Sequence, residues 1–146
     1  MSDSAKVLLV DDRETNLRVL EAALAPLGVP VVCADNGDDA LKIALRGGIG
    51  VILLDVRMPG ISGLEVADYL LRLDQTRDIP IVLVTGIGTS ALAQTAIDLG
   101  VADLLVKPVD PWVLRVKVSY LLNAGHRGAD GRAADAPDAR VPRRTP

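Results

Sequence analysis

The chain has 146 residues, 49% apolar content and a net charge of −3, which suits one domain with a core that needs no disulfide or metal to hold it. The single cysteine, Cys33, excludes an internal disulfide, and the lack of Phe, with Tyr69, Trp112 and Tyr120 as the large aromatics, makes the core aliphatic. Acidic residues outnumber basic ones over 1–124, which argues against direct nucleic-acid binding by that part; the balance reverses over 125–146, with five Arg and three Asp.

Lys6-Val7-Leu8-Leu9-Val10 predicts a first strand, ending at Asp11 and Asp12. No basic segment followed by a long apolar one precedes it, and no apolar run approaches the roughly 18 residues of a membrane span, so the expected address is cytoplasmic with no membrane contact. A helix follows from about Glu14 to Leu27: Leu17, Leu20, Leu24 and Leu27 share a face, and Pro26 and Gly28 close it. Val31 to Ala34 predicts a second strand with Cys33 as a buried core residue. Asp35-Asn36-Gly37 reads as a turn and cap before a helix from Asp38 to Arg46, with Leu41, Ala44 and Leu45 inward.

Val51-Ile52-Leu53-Leu54 is a strand buried on both faces, as in parallel sheets covered by helices, and it runs into Asp55. Ser62-Gly63-Leu64-Glu65 is a capping-box pattern that starts a helix to about Leu73. Ile81 to Val84 predicts a fourth strand ending at Thr85, followed by a helix from about Ser90 to Leu99. Ala102 to Val106 is a short fifth strand ending at Lys107-Pro108. Asp110 and Pro111 open a last helix to about Leu122, apolar over more than one stripe, whose surplus face suits a partner or a second copy. Residues 125–146 lack hydrophobic periodicity and are expected to form a disordered tail or linker after a domain spanning 1–124; the lone His126 has no second His nearby for a metal site. Strands alternating with helices at this spacing give an α/β fold, a doubly wound parallel sheet with helices on both faces.

In such sheets, chemistry sits beyond the carboxyl ends of the strands. Strand one delivers Asp11 and Asp12 there, strand three Asp55, strand four Thr85 and strand five Lys107. Two unit charges ~4 Å apart repel by about 4 kcal/mol at an effective dielectric near 20, so three converging carboxylates call for a cation. Hard oxygen ligands in an open site suit Mg²⁺, whose shell phosphate oxygens often complete. Mg²⁺, a lysine and a hydroxyl around a carboxylate make a phosphoryl-transfer site with an Asp nucleophile. Gly86-Ile87-Gly88-Thr89-Ser90-Ala91 also fits a dinucleotide fingerprint, but it follows the fourth strand rather than the first, and a mobile loop beside Thr85 is the expected reading.

Over about residues 4–123 the chain resembles the receiver domain of two-component response regulators, on Val10-Asp11-Asp12, Leu54-Asp55-Val56-Arg57-Met58-Pro59-Gly60, Thr85 and Lys107-Pro108. The resemblance implies a flavodoxin-like (βα)5 fold with strand order 2-1-3-4-5, in which Asp55 takes a phosphoryl group from a histidine kinase or phosphotransfer protein. It implies Mg²⁺ bound by Asp12, Asp55 and the backbone carbonyl of Arg57, with Asp11 acting through a bound water. Lys107 would contact the phosphoryl oxygens, Thr85 would move inward to bond one of them, and the Lys107-Pro108 bond would be cis. It further implies a signalling module that turns over no separate metabolite, and a possible homodimer through the fourth and fifth helices.

Three positions depart from the family pattern: Leu104 stands where an aromatic is usual, Gly86 where Ala is common, and Val109 in place of a frequent Phe. Arg57 is expected to alter phosphoryl lifetime. Two other readings stand beside the receiver. A Mg²⁺-dependent phosphotransferase with an Asp nucleophile would need a second acid where Arg57 stands. A phosphorylation-independent interaction domain would accommodate Leu104.

Overall fold

The computed structural model describes residues 5–131, with side chains over 5–124. In chain order the elements are β1 (Lys6–Val10), α1 (Glu14–Leu24) with a 3-10 turn (Ala25–Leu27), β2 (Val31–Ala34), α2 (Gly37–Arg46), β3 (Ile49–Asp55), α3 (Gly63–Arg72), β4 (Ile81–Thr85), α4 (Ser90–Leu99), β5 (Asp103–Val106) and α5 (Pro111–Gly131). The sheet is parallel throughout, in the order β2-β1-β3-β4-β5.

The alternation of side chains along each strand divides the core in two. Leu8, Ile52, Leu54, Ile81 and Leu83 face one side and pack with Ala40, Val66, Ala67, Leu70 and Ala96 of α2, α3 and α4. Val7, Leu9, Val51, Leu53 and Val82 face the other and pack with Leu17, Leu20, Leu24, Leu114 and Val118 of α1 and α5. Burying a side chain such as Leu or Ile contributes about 1.5–3 kcal/mol, so these two aliphatic layers are the principal source of stability.

Several expectations need correction. Cys33 is half-buried rather than core, because the strand order leaves β2 at the edge of the sheet, where three of its four residues are partly exposed. Leu45 is exposed; the inward stripe of α2 is Gly37, Ala40 and Ala44, with Leu41 partly buried. A Cβ on Gly37 would lie 2.9 Å from Val66 and 3.0 Å from Ile61, so small residues on this face let α2 approach α3. The first helix gives way to the 3-10 turn at Ala25, with Pro26 inside that turn and Gly28 closing it at a left-handed φ of 68°. β3 begins at Ile49, two residues before the apolar run that marked it. α5 runs to Gly131 rather than stopping near Leu122, since no proline interrupts it after Pro111. Residues 132–146, the remainder of the expected tail, lie outside the described residues, as does the side chain of His126.

Candidate functional site

The register of the three central strands brings the polar residues to one edge. Val10 pairs with Leu54, and Asp55 with Val84, so Asp11, Asp55 and Thr85 fall within a step of one another. Asp11 is buried, with 1% of its surface exposed; Asp55 and Thr85 are buried as well, and Asp12 is exposed. Lys107 follows β5, and its backbone N–H donates to the Thr85 carbonyl at 2.7 Å. Its ammonium donates to Asp11 Oδ2 at 3.0 Å and to Asp55 Oδ1 at 3.3 Å. The Lys107-Pro108 peptide bond is cis.

The other Asp11 oxygen accepts from the Arg13 N–H at 2.9 Å and from the Asn16 side-chain amide at 3.3 Å. One carboxylate oxygen from each of Asp11, Asp12 and Asp55 lies within 4.8 Å of the other two. Three carboxylates face one ammonium, so the cluster is short of positive charge. Burial, then the neighbouring charge of Asp11, raises the Asp55 pKa above its ordinary value despite the pull of Lys107. Burial lowers the Lys107 pKa, but the hydrogen bond and charge of Asp11, with those of Asp55, outweigh it and leave the value raised. Clustered hard oxygens with a charge deficit fit a small divalent cation.

Two other expected participants sit at the end of β4 and in the loop that follows β3. The Thr85 hydroxyl bonds into its own loop, after β4: it donates to the Ile87 carbonyl at 3.1 Å and accepts from the Ile87 N–H at 3.2 Å. Arg57 lies in the loop after β3 with its side chain exposed. Thr89, within the dinucleotide-like stretch, caps α4 by accepting from the Leu92 N–H.

Gly63 is a supporting residue that sequence reasoning took only as part of a helix start. The capping box is present, with Ser62 and Glu65 each bonding the other's backbone N–H. Gly63 opens α3 directly against β3: its N–H donates to the Val56 carbonyl at 2.9 Å, and a Cβ there would fall 2.0 Å from the Asp55 carbonyl oxygen. The small residue inside the box was the available signal. Asn16 was also missed, although it lies in the first turn of the helix that follows Asp11.

The response regulator receiver domain family matches residues 7–119. The cyclic di-GMP phosphodiesterase response regulator RpfG of Xanthomonas campestris is 41% identical over 118 residues, which are 80% of this chain and 31% of that protein. The response regulator PleD of Caulobacter vibrioides is 40% identical over 118 residues, 81% of this chain and 26% of PleD. The chain thus spans about a third or less of the length of these relatives. Among solved structures, the chemotaxis protein CheY4 of Vibrio cholerae superposes with a TM-score of 0.75 at 30% identity, covering 80% of this chain and 98% of that one.

Proposed function

This chain belongs to the response regulator receiver domain family, and from that premise we propose that Asp55 accepts a phosphoryl group from a histidine kinase or phosphotransfer protein. The observation that carries the reading is the convergence of Asp11, Asp12 and Asp55 at one strand edge, with Lys107 bridging two of them. An Asp55 oxygen attacks phosphorus; a P–O bond forms as the P–N bond to the donor histidine breaks, and the imidazole leaves with the electron pair. A Mg²⁺ would be held by Asp12, Asp55 and the Arg57 carbonyl, with Asp11 acting through a bound water, and would neutralise charge on the phosphoryl oxygens. The Lys107 ammonium holds Asp55 in place and then stabilises the charge that the phosphoryl group brings to it. Thr85 turns from Ile87 to donate to a phosphoryl oxygen.

The test is the intact mass of the protein after incubation with acetyl phosphate and Mg²⁺, for wild type and Asp55→Asn. An adduct on the wild type alone supports the reading. Rapid turnover of phosphate esters would replace it with a phosphotransferase. An absence of adduct would leave a phosphorylation-independent interaction domain, the reading that Leu104 favours.

The rest of the proposal concerns setting. The receiver occupies 1–124, with 125–146 as a linker whose first residues, to Gly131, continue α5, and it acts in the cytoplasm; no helix among the described residues is long and apolar enough to cross a membrane. It turns over no separate metabolite and makes no direct nucleic-acid contact, in keeping with the acidic balance of 1–124. Ile97 on α4 and Trp112, Val116 and Tyr120 on α5 are all more than 60% exposed, which supports a homodimer through these helices. Sedimentation of the wild type and of Val116→Asp checks it: the wild type dimerises and the variant does not.

A further inference from the structure

Asp11 is the least exposed carboxylate of the acidic cluster, and different donors hold its two oxygens. Oδ2 accepts from Lys107, the ammonium that Asp11 shares with Asp55. Oδ1 accepts twice, from the Arg13 N–H at 2.9 Å and from the Asn16 side-chain amide at 3.3 Å. The last torsion of an aspartate is broad, so its hydrogen bonds decide how the carboxylate plane lies. One donor on Oδ1 fixes the place of that oxygen. A second donor from another direction fixes the plane, and with it the place of Oδ2.

Asn16 stands in the first turn of α1, where Leu, Glu or Ala would be the better helix former. Its side chain is half-buried, and its support is rigid: Leu17 and Leu20 of the same helix are buried among Val7, Leu9 and Val51. Lys107 cannot take over this part. Its ammonium sits on a flexible four-carbon stem and is divided between two carboxylates.

We propose that Asn16 is a positioning residue of the cation site: its amide fixes the Asp11 carboxylate so that Oδ2 is held at the acidic cluster before a divalent ion arrives. The proposal rests on reading Asp11, Asp12 and Asp55 as a Mg²⁺ site. A group fixed beforehand loses less freedom on binding, so removal of the amide weakens the hold on the ion.

Calorimetric titration with Mg²⁺ at neutral pH, alongside urea denaturation, tests it. Asn16→Leu removes the donor, keeps the size and favours the helix, so the variant should fold. Its Mg²⁺ dissociation constant should rise about fivefold, the factor that a typical net hydrogen bond is worth. Asn16→Gln, which keeps the amide, should recover most of the affinity. The Mg²⁺ concentration that half-saturates acetyl phosphate adduct formation should rise with the dissociation constant, while the rate at saturating Mg²⁺ is retained. Unchanged Mg²⁺ affinity in Asn16→Leu, whatever its urea midpoint, overturns the proposal and leaves the cation site standing. So does an Asn16→Gln protein that binds as weakly as Asn16→Leu. Absence of Mg²⁺ binding by the wild type overturns both.

Discussion

The Lys107 ammonium lies 3.0 Å from Asp11 and 3.3 Å from Asp55, holding together two buried carboxylates that would otherwise repel. Lys107→Met should therefore destabilise the metal-free protein by on the order of 2 kcal/mol. Added Mg²⁺ should raise the Tm of this variant more than that of the wild type, because the ion replaces the missing charge. Thermal melts with and without Mg²⁺ check both expectations. In the wild type, the Lys107 contribution is fully present below the ordinary lysine pKa and is lost as pH rises through the raised native value.

Asp55→Asn should have the opposite sign. Burial and Asp11 raise the Asp55 pKa in the native state, so the unfolded chain gives up its proton first as pH rises. The favourable contribution is present below the ordinary carboxylate range and lost as pH rises through the native value. At neutral pH without metal, Asp55→Asn should be more stable than wild type by on the order of 1 kcal/mol, a few degrees in Tm. The gap should close at acid pH, and Mg²⁺ should also narrow it. Calorimetry across that pH range reads the crossover.

Gly63→Ala should be severe for a single methyl. Its Cβ would sit 2.0 Å from the Asp55 carbonyl oxygen, closer than any contact can be, so either α3 or the end of β3 must move. A loss of about 3 kcal/mol is expected, at the upper end for overpacking. Urea denaturation measures that loss. The acetyl phosphate adduct, assayed well below the unfolding transition, should form more slowly than in the wild type because Asp55 is displaced.

Arg115 on α5 donates to the Ala23 carbonyl near the end of α1 at 2.8 Å, with its guanidinium 4.5 Å from the centre of the Trp112 ring. It bridges α1 and α5 beside a groove of about 700 Å³ whose lining includes Lys107 and Pro108. Arg115→Ala should cost about 1–2 kcal/mol through the lost charge-assisted bond and the lost stacking. Trp112, the chain's single tryptophan, supplies a fluorescence signal that should change in the folded variant.

Much of this was legible in the residues. Apolar runs ending in Asp11, Asp55, Thr85 and Lys107 identified the strands and the edge where chemistry collects, because a strand buried on both faces leaves polar groups only at its ends. What escaped depended on packing across elements. Cys33 sits in an apolar run, and only the position of β2 in the sheet exposes it. Leu45 reads as inward by composition, yet Gly37, Ala40 and Ala44 take that face because α2 lies so close to α3. Gly63 looks like an ordinary cap residue until the backbone it touches is known. The orientation of the Thr85 hydroxyl toward Ile87 is a matter of side-chain rotation, to which no periodicity points.

Lys107 stands 96 residues after Asp11 and 52 after Asp55, which gives the site an order of manufacture. At a synthesis rate of about 5–20 residues per second, the ribosome needs roughly 3–10 seconds to pass from Asp55 to Lys107. A nascent chain in that interval carries the acidic cluster without the ammonium that joins it. It also lacks β5, which secures one edge of the sheet. The cluster is therefore completed late in the making of the molecule, and a fragment released before β5 holds Asp11 and Asp55 without the ammonium that joins them.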